Sequence, residues 1–119
     1  MAKVENSSLI TNATLFVGLN DKDSKLQEIS TLEASKVLSN LVCSYFDGGT
    51  ITEATGIYRH NDGTGVFVVE NTLKIEILFF GQSRQEARAA LVPFVATVKK
   101  ALNQESVAVQ LEEIESELM

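Results

Sequence analysis

The chain has 119 residues, enough for one domain and too few for two. Hydrophobic residues make up 45% of it and charged residues 22%, which fits a folded globular protein and excludes a disordered one. Sixteen acidic residues against ten basic ones leave a net charge of −6, a poor balance for nucleic acid, whose binding draws its affinity from cations that displace phosphate counterions.

In chain order, residues 13–19, ATLFVGL, alternate between Ala13, Leu15, Val17 and Leu19 on one side and Thr14, Phe16 and Gly18 on the other, the period of a strand. Residues 20–29 are polar enough for a loop. Ser30 and Glu33 then match a capping box, followed by Ala34, Leu38, Leu41, Val42 and Tyr45 on one helical stripe. Asp47-Gly48-Gly49 is expected to stop that helix by a left-handed glycine. Residues 50–60 read as a second strand, Asn61 to Gly65 as a hairpin turn, and residues 66–80 as a third strand with a bulge near Glu70-Asn71. Its inner face is Leu73, Ile75, Ile77 and Phe79.

Ser83 and Glu86 form a second capping box. Ala87, Leu91, Phe94, Val95, Val98 and Leu102 follow on one stripe, and Pro93 inside it predicts a kink. Val107, Val109 and Leu111 alternate in a last strand that leads into an acidic end, residues 112–119. With a short lead over residues 1–12, the chain reads as a single βαββαβ domain over 1–119. Its fold class is α+β, the ferredoxin-like sandwich, in which two helices cover one face of a four-stranded antiparallel sheet.

Cys43 is the only cysteine, so neither an intrachain disulfide nor a thiolate metal cluster can form. Between Val42 and Tyr45, near a helix C-terminus whose dipole disfavours a thiolate, it is expected to be a packing residue. The first twenty residues lack the apolar core of a signal peptide, and no apolar run reaches membrane-spanning length, so a cytoplasmic location is expected without a membrane partner. No motif for a metal or cofactor is found. A calcium loop starting at Asp21 fails because Lys25 and Leu32 stand where acidic ligands are required.

Leu15-Phe16-Val17-Gly18 resembles the first signature of the RNA-recognition motif, which shares the βαββαβ layout and would stack a base on Phe16. The second signature should lie in the third strand, yet Thr64-Gly65-Val66-Phe67-Val68-Val69-Glu70-Asn71 keeps only its glycine in register. RNA binding is therefore not expected, and LFVGLN reads as a central strand.

Tyr58-Arg59-His60-Asn61-Asp62 gathers the only histidine beside an arginine and an aspartate at the hairpin. His60 there suits a proton carrier and Arg59 an anion holder, but no nucleophile accompanies them, and a solvated turn explains the same residues. By parity, the sheet face without helices carries Phe16, Tyr58, Leu78 and Phe80 beside Thr14, Lys74 and Glu76. Such a face usually has something covering it, most often a second copy of the chain.

The stretches YFDGGTITEATGIYRHNDG and ENTLKIEILFF resemble small ferredoxin-like proteins of unknown function encoded by bacteria and phages. That resemblance implies a fold and no catalytic residues. The leading expectation is a non-enzymatic homo-oligomeric binding module, a homodimer or larger. It would hold a small anionic ligand or a protein partner at its open sheet face or in a cleft between subunits, using Phe16, Tyr58, Arg59, His60 and Phe80. The alternative is an acidic phage-type decoy that occupies a basic site on a host enzyme, with salt-sensitive binding. A third reading is a small enzyme of the dimeric α+β barrel kind.

Overall fold

A computed structural model describes residues 9–60, 63–115 and 119. The elements follow the expected order: β1 (Ile10–Gly18), α1 (Thr31–Tyr45), β2 (Thr50–Arg59), β3 (Phe67–Phe80), α2 (Arg84–Ala101) and β4 (Ala108–Ile114). All neighbours in the sheet are antiparallel, in the order β2-β3-β1-β4. The fold is α+β, with both helices packed on one face.

The core lies between that face and the helices. Ala13, Leu15, Val17, Leu73, Ile75, Ile77 and Phe79 from the sheet meet Ala34, Leu38 and Val42 of α1 and Ala87, Leu91, Phe94 and Val98 of α2. Period-2 and period-3.6 stripes thus converge on one layer, which is why the sequence pattern specifies the fold. The α2 capping box is complete: Ser83 Oγ accepts from Glu86 N–H at 3.2 Å, and Glu86 Oε1 accepts from Ser83 N–H at 2.9 Å. At α1 half of the box forms, Ser30 Oγ accepting from Glu33 N–H at 3.1 Å, while Glu33 lies 3.7 Å from Lys36.

Several local expectations are corrected. β1 starts at Ile10, inside the expected lead, because Ile10 and Thr11 pair with β3 on one side and β4 on the other. The register of β2 on β3 runs unbroken from Thr50↔Glu76 to Arg59↔Phe67, so there is no bulge at Glu70-Asn71. Asn71 is accommodated by donating to Gln27 Oε1 at 2.8 Å. Helix α1 ends on Phe46 in extended backbone, and Gly48 and Gly49 are not left-handed. Gly49 is needed for closeness, since a Cβ there would meet Glu76 O at 3.0 Å and Val42 Cγ1 at 3.2 Å. Glu112 and Glu113 of the acidic end belong to β4. Cys43 is exposed, because Val42 occupies the buried slot of that turn. Pro93 lies inside helix α2, as its sequence position implies, and the helix continues on both sides of it. In the hairpin turn Gly63 and Gly65 take positive φ, while Asn61 and Asp62 lie outside the described residues.

The β1–α1 loop is tied to the end of α2. Asn103, itself at φ +49°, donates from Nδ2 to Asp21 Oδ1 at 2.8 Å and Asp23 Oδ2 at 2.9 Å. Gln104 Nε2 donates to Asn20 O at 2.8 Å. Donation from Ser24 N–H, Asn103 and Asp23 N–H holds the Asp21 carboxyl below its ordinary pKa. A carboxylate lowered in this way stabilises the fold above its ordinary value of about 3.9, and that stabilisation is lost as pH falls through the lower folded value. Asn103→Ala should therefore lower the melting temperature by roughly 3–6 °C at pH 7. Melting curves at pH 7 and pH 3 check this: the gap should narrow in acid, and equal gaps would refute the carboxylate's part.

Candidate functional site

The sheet face without helices is built from the even-numbered residues of all four strands, as the registers fix. Across it run the rows Tyr58–Val68, Gly56–Glu70, Ala54–Thr72–Gly18 and Thr52–Lys74–Phe16–Ala108. Its middle is a shelf of small residues, Ala54, Gly56, Thr72 and Gly18, with the Glu70 carboxyl lying over it. Tyr58 bounds one end of the shelf, and Phe16 with Lys74 bounds the other.

Strand glycines mark close approaches, and both do so here. A Cβ on Gly18 would collide with the Glu70 carboxylate, and one on Gly56 would come within 2.6 Å of Thr72 Oγ1. Glu70 Oε2 accepts from Asn20 N–H at 2.9 Å, which fixes the carboxylate above Gly18. Partial burial, and then the charge of Glu70, hold the Tyr58 hydroxyl above its ordinary pKa, so at neutral pH it remains a hydrogen-bond donor. The shelf thus offers two aromatic rings, a carboxylate, a hydroxyl and an ammonium group over roughly 20 Å of strand.

The five residues singled out from the sequence do not make one cluster within a single chain. Phe16, Tyr58 and Phe80 share the open face as parity requires, but Phe80 lies twelve positions along β3 from Val68, the partner of Tyr58, or roughly 40 Å. Arg59 faces the other side of the hairpin, its guanidinium carbon 4.4 Å from the Phe67 ring centroid and Nη1 donating to Gly65 O at 3.1 Å. His60 closes the ladder, its N–H donating to Val66 O at 2.7 Å. Sequence reading passed over Gly18, Gly56, Glu70 and Thr72. The two glycines inside strand patterns were the available signal.

A second concavity lies at the far end of β3. A groove of about 890 Å³ is lined by Tyr45, Phe46, Asp47, Gly49, Glu76, Leu78 and Phe80 among others, with acidic and no basic residues. Among the described residues no group of His, Cys, Asp and Glu is arranged to hold a metal. Nor is any helix there long and apolar enough to cross a membrane.

The fold is similar to that of a phage SAM lyase solved with S-methyl-5'-thioadenosine. The two share 22% identity and a TM-score of 0.69 over 95% of this chain and 86% of the lyase chain. A phage SAM lyase in its apo state gives 21% identity and a TM-score of 0.65, over 100% of this chain and 92% of that one. CutA from Synechococcus elongatus is similar at 12% identity and a TM-score of 0.55, over 92% of this chain and 80% of CutA. At these identities the likeness is one of fold. No curated protein sequence matches the chain. Residues 12–117 match the family described as protein of unknown function (DUF3574), and with nearly the whole sheet and both helices inside that match, the chain belongs to this family.

Proposed function

We propose that the protein is a self-associating binding module that holds a small nucleoside-like ligand on the open-face shelf, in a cleft closed by a second copy. The observation that carries this reading is the glycine-floored shelf itself: Gly18 lets the Glu70 carboxylate lie close on the sheet, Gly56 makes room for the Thr72 hydroxyl, and Tyr58 and Phe16 stand at the shelf's ends. Flat rings with a few convergent polar groups suit a heteroaromatic ligand. Glu70, Glu76 and Glu112 against Lys74 on this face favour a neutral or cationic ligand there. An anion would instead be drawn to Arg59, on the other side of the hairpin.

The fold shared with a lyase solved with a thioether nucleoside supports adenosyl thioethers as first probes. A second reading, in which the chain acts chemically on such a compound, is favoured by the Tyr58 hydroxyl lying within the field of the fixed Glu70 carboxylate.

Native mass spectrometry tests the proposal, first on gently purified protein and then with S-methyl-5'-thioadenosine or S-adenosylmethionine added. The expected result is an oligomer carrying one of these ligands or a related co-purified mass. Glu70→Gln keeps an acceptor for Asn20 N–H but removes the charge, and should weaken binding of S-adenosylmethionine roughly tenfold or more. Release of S-methyl-5'-thioadenosine from S-adenosylmethionine would establish the second reading. A clean monomer that binds neither compound would overturn the proposal.

A further inference from the structure

The sheet ends on β4, and no strand among the described residues pairs with its outer edge. Hydrogen-bond parity says which main-chain groups that leaves open. Leu19 N–H donates to Asn71 O and Gly81 N–H to Leu9 O, so odd residues of β1 turn their main chain to β3 and even ones to β4. Through the register Thr14↔Gln110, the even residues of β4 face β1, and Val109, Leu111 and Glu113 face outward. Their side chains lie on the helix side, since Leu111 pairs with the buried Ala13.

The same edge is apolar. Leu91, Val92 and Val95 of α2 line a groove of about 280 Å³ together with Val109, Leu111 and Arg88. Val92 and Val109 are left 54% and 40% exposed. Neither a proline nor a bulge blunts the strand, whose register on β1 runs unbroken from Ala108 to Ile114.

We infer that this edge pairs with the same edge of a second copy, antiparallel about a two-fold axis at Leu111, joining the two four-stranded sheets into one. Leu111 then meets Leu111, Val109 meets Glu113 and Gln110 meets Glu112, so the whole strand is used and every outward residue exchanges hydrogen bonds. No carboxylate stands directly opposite another, as it would with the axis at Glu112 or Glu113. The charges select a second copy as the occupant. α2 starts at the Ile114 end of β4 and finishes at the Ala108 end, with Lys99 and Lys100 in its last turn. Each chain therefore holds Glu112 and Glu113 at one end of the edge and its lysines at the other. The two-fold brings the acidic end of each copy to the lysine end of the other.

The helix layer fits the same arrangement. α2 packs about equally on β4 and β1, so its axis lies roughly half a strand spacing inside the edge. Across the new strand pair the two α2 helices come to roughly 9–10 Å, a distance at which helices pack, with Val92 of each facing the other. The shelf lies on the opposite face of the sheet and stays open in this pair, so its closure by a further copy is a separate contact.

Sedimentation across a concentration series, with circular dichroism to confirm folding, tests the edge pair on wild type, Val92→Asp and Val109→Pro. Proline at 109 removes only an N–H that faces outward, which an edge strand tolerates. Each variant should keep the fold and raise the dissociation constant tenfold or more. Cysteine pairing checks the register in a Cys43→Ser background, because Cys43 is exposed. Gln110 of one copy and Glu112 of the other form a non-hydrogen-bonded pair with Cα atoms roughly 4.5 Å apart. Like positions are roughly 8 Å apart, beyond the reach of a disulfide. Gln110→Cys chains mixed with Glu112→Cys chains should therefore cross-link on oxidation, and neither should do so alone. Equal assembly of wild type and Val92→Asp, or no cross-link in the mixture, would overturn the edge pair and leave closure of the shelf standing. A wild type that stays monomeric throughout would remove both.

Discussion

Phe94→Ala should destabilise the isolated chain by about 3–5 kcal/mol, the usual range for truncating a fully enclosed phenylalanine. Phe94 is wholly buried, and its ring meets Phe46 at 5.0 Å and Tyr45 at 5.5 Å, both edge-on. Phe46 in turn meets Phe79 of the sheet edge-on at 5.5 Å. The substitution removes the ring that joins α2 to the end of α1, and with it both edge contacts as well as the buried area. Since domains of this kind are stable by only about 5–15 kcal/mol, the melting temperature should fall by roughly 10–20 °C. Urea unfolding checks it through the midpoint, with the slope unchanged. Phe80→Ala serves as the contrast: on the half-exposed open face it should cost about 1 kcal/mol or less. Equal losses for the two rings would mean that the core has been misassigned.

Pro93→Ala should act in the opposite direction and stabilise by about 2 kcal/mol. Proline inside a helix costs about 3 kcal/mol relative to alanine, because it lacks the N–H owed to the carbonyl four residues earlier and its ring crowds that carbonyl. Pro93 is exposed on α2, so no core contact is lost on replacement. Part of the gain is returned because alanine leaves the unfolded chain freer, by about 0.4–1 kcal/mol. Thr97 Oγ1 donates to Pro93 O at 3.1 Å and lies 2.6 Å from the Tyr45 hydroxyl, so the turn after the proline is tied to α1. If the proline is what positions the turn that carries that bridge, the gain disappears, and a variant no more stable than wild type would show it. Thr97→Ala measured beside it separates the two contributions.

The sequence made the architecture legible because its two periods are unambiguous. Leu73, Ile75, Ile77 and Phe79 can only be one face of a strand, and Ala87, Leu91, Phe94 and Val98 only one face of a helix. The parity that placed Phe16, Tyr58, Leu78 and Phe80 together on the open face follows from the same rule. Details resting on turn chemistry were less legible. Gly48 and Gly49 looked like a left-handed stop, yet Gly49 serves a close approach to Glu76 that depends on which strand packs there. The suspected bulge at Asn71 is absent because Glu70 and Asn71 keep Gly56 and Thr55 as partners in an unbroken register, which local composition does not reveal. The shelf was hidden for a related reason: Glu70 and Gly18 meet only through strand pairing, and local spacing carries no trace of it. Arg59 next to Tyr58 suggested one site, whereas alternation along a strand sends neighbours to opposite faces.

The order β2-β3-β1-β4 also has a consequence for how the chain reaches its native state. β1 is made first and lies inside the sheet, with one edge committed to β3 and the other to β4, so that Ile10 is set against both Phe80 and Ile114. Local pieces, the two helices and the β2–β3 hairpin, can form from neighbouring residues, but the strand between them must wait for partners far along the chain. Closing such long loops is entropically costly and slow, which puts this domain among the less rapid small folders. Until β4 arrives, β1 offers an unpaired, apolar edge, and that interval is when a nascent chain is most exposed to joining the wrong neighbour.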